Sequence, residues 1–114
     1  MDVVWRKCVL SSKCRLNIIN LDNSHFDNLI GVYKIWSNGN ANKTICIGGG
    51  IIRNELNAMK KNFEVQNYGP DLYVTWAMVP SISIDGVLAF LTEKLKPIII
   101  KALSPAEAIK INLP

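Results

Sequence analysis

The stretch KTICIGGGIIRNEL, Lys43 to Leu56, reads as a short buried strand, three consecutive glycines and the start of a helix. Thr44, Ile45, Cys46 and Ile47 give the first part its apolar, β-branched character. The glycines admit two explanations. Bare backbone N–H groups at a helix start can face a phosphate. Alternatively, the connection is too tight for Cβ atoms.

Upstream, GVYKIW (Gly31–Trp36) is a strand by its β-branched and aromatic content. SNGNANK follows, and its Asn38-Gly39 pair suits a hairpin turn. TICIG is then the antiparallel partner, because too few residues intervene for a helical crossover. Downstream, a helix is expected over roughly Ile51 to Asn62. Ile52, Leu56, Met59 and Phe63 share one face, and Arg53, Asn57 and Lys60 the opposite one. NYGPD breaks the chain. LYVTWAMV (Leu72–Val79) is apolar on both faces and reads as the central strand.

PSISIDGVLAFLTEKLKP carries a second helix, with Ser83 as N-cap, Asp85 in the first turn and Pro97 as the stop. Its stripe is Ile84, Val87, Leu88, Leu91 and Leu95. In the tail, a strand-like apolar run precedes Ser104-Pro105-Ala106-Glu107, a capping-box pattern that predicts a short helix. Near the N-terminus, VVWRKCVL and RLNIIN read as edge strands, and NLDNSHFDN as a loop with His25 in solvent. The expected fold class is α+β. A small three-stranded antiparallel or mixed sheet is flanked by helices, with N-terminal edge strands.

At 114 residues and 49% hydrophobic content, residues 1–114 make one domain with a single core. Lys and Arg outnumber Asp and Glu by 13 to 9, a net charge of +4. That balance suits a polyanionic partner without requiring one. Cys8, Cys14 and Cys46 are odd in number and form no C-x-x-C pair, which argues against zinc and against a disulfide framework. No apolar run is long enough for a signal peptide or a membrane span. A cytoplasmic setting, with no membrane partner, is the expected default.

Taken together, GVY at Gly31-Val32-Tyr33, CIG at Cys46-Ile47-Gly48, the helix with Arg53, the strand LYVTWAMVP and the helix GVLAFLTEKLKP resemble the GIY-YIG family. The likeness covers about Gly31 to Pro97. Members are typically DNA endonucleases. The resemblance implies one divalent metal (Mg or Mn), a glutamate ligand, a tyrosine near the attacking water and an arginine on the phosphate. The division of labour is sound: the metal neutralises the anionic phosphodiester, and an arginine fork holds it. By this likeness the catalytic residues are Tyr33 and Arg53.

The chain departs from the family pattern in several places. Cys46 stands for the second signature tyrosine. Arg53 follows the signature glycine early, and Asn57 stands where a His or Tyr is common. The position of the metal-binding glutamate falls on Leu88. Asp85 lies about 60° around the helix from Leu88, and Glu93 about 140° away. The implied function is therefore a divergent GIY-YIG-like domain that binds nucleic acid, such as DNA, with impaired or absent phosphodiesterase activity. Gly48, Gly49, Gly50, Asn57, Lys60 and Lys61 are its candidate phosphate contacts. One alternative is an active endonuclease with Asp85 or Glu93 on the metal. Another is a protein-interaction module in which Trp5, Trp36 and Trp76 are either anchors or core. The glycines match neither the G-x-G-x-x-G nor the P-loop pattern.

Overall fold

The structure, a computed structural model, describes residues 1–6, 14–37, 43–100 and 103–114. Among them the order is β1 (Trp5–Arg6), β2 (Cys14–Arg15), β3 (Ile30–Ser37), β4 (Thr44–Ile51), α1 (Ile52–Lys60), α2 (Phe63–Gln66), β5 (Leu72–Met78) and α3 (Ile84–Leu95). All strand pairs are antiparallel, and β1-β5-β3-β4 is the spatial order, with β2 also on β5. The fold is α+β, as expected. Both β3 and β5 are interior, and β5 is buried along Leu72 to Ala77. The Asn38-Gly39 turn falls outside the described residues, but Ser37 and Lys43 are bridged by a backbone hydrogen bond of 2.9 Å.

The glycines belong to the strand, not to a turn after it. Gly48, Gly49 and Gly50 pair with Tyr33, Val32 and Gly31, and α1 starts directly after Ile51. No separate strand-to-helix loop exists. The reasons for glycine lie across the sheet. A Cβ on Gly48 would strike the Tyr33 ring and hydroxyl, and one on Gly49 would sit 2.7 Å from Ile84 Cγ2. Gly50 has φ +139°, which L side chains rarely adopt.

The sheet is covered on both faces. On one, Tyr33, Ile35, Val74 and Trp76 meet Ile52, Leu56 and Met59 of α1. Leu16, Ile19, Leu21, Phe26 and Leu29 complete that cluster. The segment expected as a polar loop thus supplies part of the core, turning through a 3₁₀ helix at Ser24–Phe26. On the other face, Val32, Ile47, Ala77 and Val79 meet Val87, Leu88, Phe90 and Leu91 of α3.

Three local expectations need correction. Phe63 is 87% exposed and leaves the α1 stripe, because Asn62 Oδ1 accepts from Val65 N–H at 3.0 Å and caps a new short helix. Ser83 does precede α3, but its hydroxyl makes no cap bond, since the chain enters from a 3₁₀ turn at Ser81–Ser83. The tail around Ser104–Glu107 is not helical. One or two isolated turns are marginal in water. The extended tail instead buries Ile111 in the α3 cluster, with Ile109 packed against it. Gly86 leaves room for Ile109, whose N–H donates to the Gly86 carbonyl at 2.9 Å. Asn112 then clasps the other end of the chain. It accepts from Val3 N–H at 2.7 Å and donates to Val3 O at 2.9 Å.

Cys14 is disulfide-bonded and Cys46 is a buried free thiol. An odd cysteine count therefore did not exclude a disulfide. No helix among the described residues is long and apolar enough to cross a membrane.

Candidate functional site

Tyr33 sits mid-strand on β3 and is 0% exposed, lying across Gly48 under α1. Burial pushes its hydroxyl far above the ordinary tyrosine value, and the neighbouring Cys46 and Glu55 add to the rise. The phenol is thus held protonated. Stability follows from the sign of that shift. The folded chain holds this proton more tightly than an unfolded one, whose tyrosine titrates at its ordinary 10.0. The contribution is complete below that pH and is lost progressively as the pH rises above it. Tyr33→Phe should therefore move alkaline unfolding, followed by circular dichroism, to higher pH. An unchanged or lower alkaline limit would contradict this account.

Arg53 leaves the first turn of α1 and points into the 19–28 segment. Its Nε donates to Leu21 O at 2.7 Å, and Nη2 donates to Asn23 O at 3.0 Å and to Asp27 Oδ1 at 2.7 Å. Two turns on, Lys60 Nζ donates to Ile19 O at 2.7 Å. The face expected to meet phosphate thus holds a loop in place. The shared side of Arg53 and Lys60 was legible from spacing; the partner they meet there was not.

At the start of α1, the Ile52 N–H donates to Leu29 O at 3.0 Å. Glu55 lies in the first helical turn, with its carboxyl group beside Gly50. A carboxylate already complements the helix dipole there and opposes a second anion. Asn57 and Lys61 are exposed on or just after α1. Asp85 and Glu93 are exposed on α3, which packs on the opposite sheet face from Tyr33 and α1. Tyr33 and Arg53 are therefore on one side and the two carboxylates on the other. Among the described residues no group of three or more His, Cys, Asp or Glu could hold a metal ion. These residues do not fit a single metal centre.

Compared with protein-family models, curated proteins and solved structures, the chain matches none.

Two constellations were not visible in the sequence. His25 is not simply solvated: Trp76 Nε1 donates to its Nε2 at 3.1 Å, and its ring meets Phe26 edge-on at 5.0 Å. A groove of about 480 Å³ opens beside it, between Val4, Arg6, Asp27 and Met78. The second is a row across the sheet. Strand register sets Trp36 opposite Tyr73 and Tyr73 opposite Arg15. The Trp36 and Tyr73 rings lie 5.0 Å apart at 31°. Arg15 lies 5.7 Å over Tyr73, and Lys34 Nζ lies 5.8 Å over Trp36. Nothing in the one-dimensional spacing joins residues 15, 34, 36 and 73; only the pairing of three strands does.

Proposed function

We propose that this chain is a non-catalytic nucleic-acid-binding domain built on a GIY-YIG-like order of elements. The order hairpin, helix with Arg53, strand and helix supports that relationship, and the net charge of +4 supports a polyanionic partner. One observation carries the non-catalytic part: both residues with an implied catalytic role are committed to the fold. A buried phenol held protonated is a poor proton relay. A guanidinium bonded to Leu21, Asn23 and Asp27 cannot clamp a phosphate without releasing the loop. A cytoplasmic setting goes with this reading, and the Cys14 disulfide opposes it, since such bonds persist mainly in oxidising compartments.

The test is a nuclease assay on supercoiled and single-stranded DNA with Mg²⁺ and Mn²⁺, run beside Asp85→Ala and Glu93→Ala. The expected result is no cutting, together with binding that weakens as salt rises. Cutting that disappears in one carboxylate variant would replace this reading with an active metal-dependent endonuclease. Absence of binding to any DNA or RNA would leave a protein-interaction module as the better account.

A further inference from the structure

We propose that the row Arg15–Tyr73–Trp36–Lys34 is a stacking platform for single-stranded nucleic acid. One base would lie on the partly exposed Trp36 indole, and the adjoining phosphates on Lys34 and Arg15. The proposal rests on the nucleic-acid reading above and gives it a surface and a substrate class.

The platform is rigid where stacking needs rigidity. Tyr73 is only 7% exposed and backs the Trp36 ring from the neighbouring strand. Trp36 Nε1 donates to Thr75 Oγ1 at 3.3 Å, which fixes the rotation of the indole. The ring is thus set before a ligand arrives, and little side-chain freedom is lost on binding.

The charges complement a nucleic-acid strand. A cation flanks each aromatic ring, and Lys43, exposed, adjoins Thr44, the β4 residue that pairs with Trp36. Among the described residues, Asp71 is an acidic group beside the row, and it pairs with Arg15 at 3.5 Å. Both side chains of that pair are half or more exposed, so the contact is weak and a phosphate can replace it. In the free protein Lys34 lies over the indole; an incoming base would move the ammonium aside to its own phosphate.

This arrangement favours a single strand over a duplex. Bases in a duplex are already stacked on each other and offer no free face. A duplex would use the cations alone and would be indifferent to the indole. A single strand uses both, because every base has a π face and stacking is tolerant of sequence.

The experiment is fluorescence anisotropy with a labelled oligothymidylate and a labelled duplex, each at two salt concentrations. Wild type, Trp36→Leu, Trp36→Phe, Arg15→Ala and Lys34→Ala are compared, with folding checked by circular dichroism. The single strand should bind more tightly than the duplex. Trp36→Leu should weaken single-strand binding roughly tenfold, the loss of about one stacked base. Trp36→Phe should retain most of it. Arg15→Ala and Lys34→Ala should each weaken binding and flatten its salt dependence by about 0.7 in the log–log slope. Duplex binding should ignore Trp36. Folded Trp36→Leu that binds oligothymidylate like wild type would overturn the platform while leaving nucleic-acid binding intact. So would unaltered salt slopes in both cation variants. Failure of wild type to bind either probe would overturn the nucleic-acid reading as well.

Discussion

Gly48→Ala should destabilise the fold by roughly 3 kcal/mol, at the upper end of what overpacking costs, and lower the melting temperature by on the order of 10 °C. The backbone at Gly48 is ordinary strand; positive φ is confined to Gly50 and Gly69 among the glycines of the described residues. What Gly48 supplies is room. A methyl group there would lie 2.5 Å from Tyr33 Cζ and 2.8 Å from Cε1, and closer still to the hydroxyl oxygen. A flexible side chain would swing away. The Tyr33 ring cannot, because it is fully buried among Ile35, Cys46, Leu56 and Trp76. The strain must pass into β3 or α1. A double-mutant cycle with Tyr33→Leu, read by urea unfolding, isolates the cause. In the Tyr33→Leu background, Gly48→Ala should cost under about 1 kcal/mol, so the pair should couple by about 2 kcal/mol. Equal costs in both backgrounds would mean that the glycine answers to something other than the ring.

That coupling explains why the same stretch was only partly legible in the sequence. Strand, helix and hairpin each carry a local signature in periodicity or turn chemistry, so the elements around Gly48 could be placed from sequence alone. The glycines could not. Read locally, three glycines end a strand. In the fold they continue it, and the groups that demand them are Tyr33 on one face and Ile84 on the other. The segment from Leu16 to Leu29 failed for a related reason. Its buried residues follow neither a period of 2 nor one of 3.6, so Leu21 and Phe26 looked like the apolar residue of a polar loop, and Leu16 and Ile19 like part of an edge strand. In the tail a genuine local signal, the capping box, lost to burial of Ile111 against α3. The candidate site divides in the same way. The common face of Arg53 and Lys60 was readable on the helix. The loop that occupies that face, and the row through Trp36 and Tyr73, depend on contacts remote in sequence.

Arg53→Ala should cost about 2–3 kcal/mol and loosen the loop it holds, whatever it does to ligand binding. Three bonds are at stake. The one from Nε to Leu21 O is part-buried, so its loss leaves a carbonyl poorly placed to recruit water. The Asn23 and Asp27 contacts are more exposed, and the side chains of Arg53 and Asp27 are 30% and 60% accessible. Screening makes that ion pair the lesser share. Asp27→Ala should therefore cost under about 1 kcal/mol. Arg53→Lys should recover little, because one ammonium cannot span Leu21, Asn23 and Asp27 as the planar guanidinium does. Urea unfolding gives the magnitudes. Hydrogen exchange gives the place: amides around Asn23 to Leu29 should exchange faster in Arg53→Ala, while those of β5 should change only with global stability. The contrast with a phosphate-binding arginine is sharp. A ligand-binding Arg53 would leave stability and loop exchange near wild type and abolish nucleic-acid binding. A loop-anchoring Arg53 does the reverse, and a folded Arg53→Ala that still binds oligothymidylate would place recognition elsewhere on the domain. Loss of binding with stability intact would return Arg53 to the phosphate and reopen the case for catalysis.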